Sequence, residues 1–112
     1  MPPEDLGLVQ GTLAMLILKT LALEPMHGHG IGVRLGQISR GVFNVNGGSL
    51  FPALRRLERE GLIKAEWRSS ENNRRARYYA LTRSGRSTLA QQTSDWNVQA
   101  AAIGRILNTD EI

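Results

Sequence analysis

Gly48-Ser49-Leu50-Phe51-Pro52-Ala53-Leu54-Arg55-Arg56-Leu57-Glu58-Arg59-Glu60-Gly61-Leu62-Ile63 is the stretch that decides the fold. Leu50, Ala53, Leu54 and Leu57 form one apolar stripe at helical spacing. Projection at about 100° per residue puts Ser49, Pro52, Arg56 and Arg59 on the opposite side, with Arg55 at its edge. The pattern predicts a helix that buries one face and presents arginines on the other. Proline lacks the N–H that a helix interior uses, so Pro52 suits a first turn. The helix is therefore expected to begin at about Gly48 or Ser49 and to stop at Gly61.

Beyond Gly61 the apolar period changes from about 3.6 to 2. Ile63, Ala65 and Trp67 alternate with Lys64, Glu66 and Arg68, and after the turn-forming residues 69–73 a second run puts Arg77, Tyr79 and Leu81 on one face. This predicts a β-hairpin whose tip carries Arg74, Arg75 and Arg77. Thr82 or Ser84 can then cap a final helix. Within it Leu89, Thr93, Trp96, Ala100, Ile103 and Leu107 fall on a narrow seam that wants a partner. Upstream, residues 8–23 are apolar on several sides and predict a buried helix, ended by Glu24, Pro25 and the run His27-Gly28-His29-Gly30. A second helix follows with Ile31, Leu35 and Ile38 on one face, and it dissolves over residues 39–48.

Three helices, the third arginine-bearing, followed by a basic hairpin, make a winged helix-turn-helix. The expected fold class is mainly α with a small β-hairpin, completed by a C-terminal helix. Residues 8–82 are expected to form the winged-helix domain and residues 83–108 a C-terminal dimerisation helix, all in one compact domain. A B-form major groove about 12 Å wide admits one helix, so the third helix would enter it with Ser49, Pro52 and Arg56 toward base edges or flanking phosphates. Arg55 and Arg59 would meet phosphates. The hairpin arginines would reach the neighbouring backbone or minor groove.

Charge and length agree with this. The 112 residues carry a formal net charge of +4, and the segment between Arg34 and Arg86 holds twelve basic residues against four acids, so the positive charge sits in one region. With a pI near 10.3, that is the electrostatic footprint of a nucleic-acid binder, although a merely solvated basic surface has the same composition. The absence of cysteine excludes disulfides, thiolate metal sites and a cysteine nucleophile. No apolar stretch approaches the roughly 20 residues needed to cross a bilayer. The opening Met-Pro-Pro-Glu-Asp lacks the basic start of a secretory signal, so the cytoplasm is the expected compartment.

The same residues carry a resemblance to the PadR family of transcriptional regulators. Residues 48–63 resemble the family's Ser-Leu-Tyr-Pro-Ala-Leu recognition helix. Pro25-Met26-His27-Gly28-His29-Gly30-Ile31 resembles its Met-His-Gly-Tyr-Gly entry to the second helix, and Arg77-Tyr78-Tyr79-Ala80-Leu81-Thr82-Arg83-Ser84-Gly85 its Tyr-Tyr-x-Leu-Thr-x-x-Gly strand end. The likeness runs from Val9 to Leu107. A single helix after the wing looks like the compact branch, which dimerises through that helix. The resemblance thus implies a homodimeric repressor on an inverted repeat of double-stranded DNA. Val9, Leu13 and Leu16 would join the C-terminal seam at the dimer interface. Gly48 and His29 join the expected DNA contacts. His29 and Phe51 stand where the family has tyrosines, and Phe51 has lost the hydroxyl that would donate to the backbone. In such proteins the paired terminal helices can bind flat aromatic effectors. Trp96 is accordingly either a stacking surface for one, with Gln92 and Gln99 as polar contacts, or an ordinary buried anchor.

The same residues admit other readings. The basic face could bind an acidic protein surface, or nucleic acid without sequence preference, and Tyr78 and Tyr79 could stack on unpaired bases. The expectation for the two tyrosines is structural, with Tyr79 in the wing core and Tyr78 covering another element. His27-x-His29 supplies only half a metal site, and the glycines at 28, 30, 32 and 36 follow no strand as a dinucleotide site requires. No nucleophile, base and orienting residue can be assembled. No enzyme activity, metal or cofactor is expected.

Overall fold

Gly11, at φ +85°, holds a left-handed backbone conformation that breaks the helical path, and the first helix starts only after it. In the computed structural model, which describes residues 8, 11–69, 72 and 74–110, α1 (Leu13–Leu23) follows, shorter than its apolar pattern suggests. Ile17, Leu18 and Leu21 are buried at its centre, whereas Leu23 at its end is exposed. Val9 lies outside the described residues.

Met26 and His27 form a short strand, β1 (Met26–His27), which sequence periodicity does not reveal. The glycines after it do not loosen the chain but open α2 (Gly28–Ile38). Its N-cap is His27, whose Nδ1 accepts the Gly30 N–H at 3.0 Å. Ile31 and Leu35 are buried as their spacing predicts, but Ile38 at the frayed end is 57% exposed.

After an irregular stretch, Asn46 caps α3 (Gly47–Arg59), its Oδ1 accepting from the Ser49 N–H at 2.9 Å. Leu50, Leu54 and Leu57 are buried as expected. The earlier start puts Pro52 in the second turn rather than the first. Gly48, whose carbonyl loses its helical partner there, is exposed and can be hydrated. Glu60 ends the helix and Gly61, at φ +76°, turns the chain away from it.

The wing is β2 (Ile63–Ser69) paired antiparallel with β3 (Arg75–Leu81), and β1 adds to the other edge of β3, so the sheet order is β1-β3-β2. The register sets Ala65 opposite Tyr79 and Trp67 opposite Arg77. Ile63 and Tyr79 face the core, and Tyr78 on the other face meets His27 edge-on, so both tyrosines take the structural roles expected of them. Then α4 (Arg83–Leu107) begins at Thr82, whose Oγ1 accepts from the Gly85 N–H at 3.0 Å and donates to the Gly61 carbonyl at 2.7 Å. Only Gly85 and Leu89 of this 25-residue helix are buried, and its C-terminal half extends the molecule to 61 Å in its longest dimension.

Candidate nucleic-acid interface

α3 and the wing adjoin, and both expose arginines. Packing of Leu50, Leu54 and Leu57 against α1 and α2 fixes the rotation of α3, so that Gly48, Ser49, Pro52, Arg55, Arg56 and Arg59 are all exposed. Arg56 Nε lies 3.7 Å from Glu60 Oε1, a pair exposed on both sides and too weak to hold the guanidinium. Beside this face, a cleft of about 400 Å³ separates α3 from the start of α1, with Ser49, Pro52 and Arg56 on one wall and Leu13 on the other. Phe51 is turned away from it. Its ring packs so tightly over Gly28 and Gly47 that a Cβ on Gly28 would come within 2.6 Å of it. The aromatic side chain therefore holds the N-terminal turns of α2 and α3 together without needing a hydroxyl.

His29 is exposed in the first turn of α2 and stacks parallel on His27, with ring centroids 6.2 Å apart. The wing places Arg74 and Arg75 at its far end, both exposed. Arg77 is nearer the body, where its Nη2 donates to Glu58 Oε2 at 2.6 Å and ties the wing to α3. Sequence reasoning missed this tie because the two residues are nineteen positions apart. The signal that could have found it is the strand alternation, which puts Arg77 on the face of β3 that packs toward α3. Tyr79 on that face is buried, and burial raises its phenol above the usual 10.0, partly opposed by the positive charge of Arg77.

The expected interface residues of the C-terminal seam divide into two groups. Leu89 belongs to the core, whereas Thr93, Ala100, Ile103 and Leu107 are exposed along α4, the last two at 54% and 78%. Trp96 stands at 37% exposure between two depressions. On one side an apolar groove of about 420 Å³ runs between α1 and α4, lined by Met15, Leu16, Lys19, Phe43, Leu89 and Thr93 as well as the indole. On the other lies a shallower polar pocket of about 220 Å³ with Gln92, Asp95 and Gln99. The two glutamines thus do not line the apolar groove. Gln92 Oε1 is buried without a hydrogen-bond partner among the described residues. No group of three or more metal-ligating side chains occurs among the described residues, and no helix among them is long and apolar enough to cross a membrane.

Residues 17–91 match the model of the transcriptional regulator PadR-like family. Solved structures share the fold, among them three PadR-type regulators. A PadR family transcriptional regulator from Eggerthella lenta DSM 2243 is 31% identical, with 90% of this chain and 86% of that chain covered and a TM-score of 0.78. A PadR-like transcription factor from Bacteroides fragilis is 29% identical over 86% of this chain and 90% of that chain, with a TM-score of 0.72. A PadR-like transcriptional regulator from Bacillus cereus is 25% identical over 90% and 96% of the two chains, with a TM-score of 0.80. The family match spans more than half of the sequence, through α3 and the wing into α4, and this chain belongs to the PadR-like family of transcriptional regulators.

Proposed function

We propose that this DNA-binding regulator is a homodimeric repressor that recognises an inverted repeat in duplex DNA. Each subunit places α3 in a major groove and its wing on the flanking backbone. The observation that carries the reading is the pairing of two surfaces on one rigid frame. The outer face of α3 exposes Ser49, Pro52, Arg55, Arg56 and Arg59, and the far half of α4 exposes Ile103, Ile106 and Leu107. Apolar side chains at 54–78% exposure on a capped helix are what a second copy would cover. In this reading residues 83–108 supply the dimer contacts with Leu16 of α1, and residues 8–82 the DNA contacts. A dimer in turn fixes two recognition helices about 34 Å apart, one turn of B-DNA.

The test is selection. Purified protein is incubated with sheared genomic DNA from its source at about 150 mM salt, where non-specific phosphate binding is weakened, and the bound fraction is sequenced. A shared inverted repeat with half-sites about one helical turn apart is the expected result. Recovery without any motif would reduce the basic face to non-specific phosphate binding or to contact with an acidic protein.

The groove beside Trp96 favours a second element, release by a small flat aromatic effector. About 420 Å³ is room for such a molecule, and the indole offers it a stacking wall. In a Trp67→Phe background Trp96 is the sole indole, so a library of planar aromatic compounds can be screened by quenching of its fluorescence. A compound that quenches and also weakens DNA binding supports the reading. Quenchers that leave DNA binding unchanged would exclude a sensor role for those compounds, because a ligand with equal affinity for both states shifts nothing.

A further inference from the structure

Four arginines of the wing differ in what holds them. Arg68 is paired with Glu66 while lying 5.3 Å from the centroid of the Tyr78 ring, and Arg77 is paired with Glu58. In both a carboxylate offsets the charge and occupies N–H donors. Arg74 makes no hydrogen bond, ion pair or ring contact among the described residues. Arg75 is held differently. The register sets Ser69 opposite Arg75 and Trp67 opposite Arg77, so Trp67 and Arg75 are diagonal neighbours on one face of the hairpin, and the Arg75 guanidinium carbon lies 5.2 Å from the centroid of the Trp67 ring.

Trp67 itself needs explaining. It continues the core-facing set of β2 after Ile63 and Ala65, yet it is 57% exposed, beyond the edge of the core. Packing does not account for an indole there, but the guanidinium above it does. A guanidinium lying over an aromatic ring is restrained by the ring's electron cloud and not by a carboxylate acceptor, so N–H donors remain available to another partner. The indole carries no charge, so the positive charge also remains whole. Among the described residues, Arg75 alone of the four is held by a neighbour without being paired to a carboxylate.

We propose that Trp67 is a positioning residue for DNA binding, whose indole holds the Arg75 guanidinium in place with its charge and donor edge free for a backbone phosphate. The inference rests on the wing lying against the duplex, as in the function proposed above. It is tested by fluorescence anisotropy on a labelled random-sequence duplex at several salt concentrations. The proteins compared are wild type, Trp67→Ala, Trp67→Phe, Arg75→Ala and the double variant Trp67→Ala with Arg75→Ala.

Ordering a long side chain on binding costs about 0.5–1.5 kcal/mol, so Trp67→Ala is expected to weaken binding about two- to tenfold. Its salt dependence should match wild type, since the same number of phosphates is neutralised, whereas Arg75→Ala should lower the slope by about one unit per bound subunit, about two for the proposed dimer. In the Arg75→Ala background, Trp67→Ala should cost nothing further, and Trp67→Phe should retain part of the affinity. That coupling separates positioning from a general loosening of the wing, which would weaken binding equally in both backgrounds. Equal losses in the two backgrounds, or full affinity in Trp67→Ala, would overturn the proposal while DNA binding stands. A wild-type protein that binds no duplex would overturn the DNA-binding reading and this inference with it.

Discussion

Gly85 is the point at which a single methyl group should do most damage. It lies buried in the first turn of α4, and a Cβ built on it would overlap the Leu62 carbonyl oxygen and press on the Leu81 side chain. Leu81 can turn aside, but the carbonyl cannot, because it accepts the Thr82 N–H at 3.1 Å, next to the cap that starts the helix. Overpacking against movable side chains costs about 1–3 kcal/mol, and a backbone obstacle puts Gly85→Ala at the top of that range, about 3 kcal/mol. Alanine returns about 1 kcal/mol of helix propensity. The net expectation is a loss of about 2 kcal/mol, read by denaturant unfolding at fixed protein concentration because the stability of the proposed dimer would depend on it. Ser87→Ala, at an exposed position two residues on, isolates the propensity gain and should stabilise slightly. A Gly85→Ala protein as stable as wild type would refute the close approach of α4 to Leu62.

Arg56→Ala should cost about 1–3 kcal/mol in binding to a selected operator and relax the preference at one base pair, as measured by binding to single-position operator variants; uniform loss on all of them would exclude base reading. Ile103→Asp should give a folded monomer in sedimentation experiments, since the residue is already 54% exposed in the protomer and the charge opposes only burial by a second copy. Because burial raises the Tyr79 phenol above 10.0, the folded protein keeps a proton that the unfolded chain releases. Stability should therefore fall as pH rises through and above 10, and Tyr79→Phe should remove that part of the alkaline slope in unfolding titrations.

Much of the fold was legible because it rests on period. The switch from 3.6 to 2 at Gly61 locates the end of α3 and the start of the wing, and the spacing of Leu50, Leu54 and Leu57 identifies the buried face of α3. What escaped has a physical cause in each case. Two residues, Met26 and His27, have no periodicity, so β1 could not be seen. The glycines that follow look like helix breakers, yet they open α2 because an imidazole nitrogen accepts the Gly30 N–H, a role usually filled by serine, threonine, aspartate or asparagine. Apolar spacing runs through residues 8–23, but a backbone at φ +85° at Gly11 sets where the helix can begin, and hydrophobicity carries no information about φ.

The candidate site was legible to a different depth. Composition reveals a basic segment and helical projection reveals which α3 arginines face outward, since both depend only on local sequence. The wing arginines look equivalent in sequence, and it is tertiary neighbours that sort them. Glu58 reaches Arg77 from another element, Glu66 takes Arg68, and Trp67 lies under Arg75 across the hairpin diagonal. Net charge alone would assign each of these side chains the same part in binding a polyanion. A carboxylate partner makes an arginine a structural tie whose charge is already answered, whereas an aromatic partner restrains it and leaves the charge exposed. Removal of Arg77 should consequently register first in the stability of the wing, and removal of Arg75 first in the salt dependence of DNA binding.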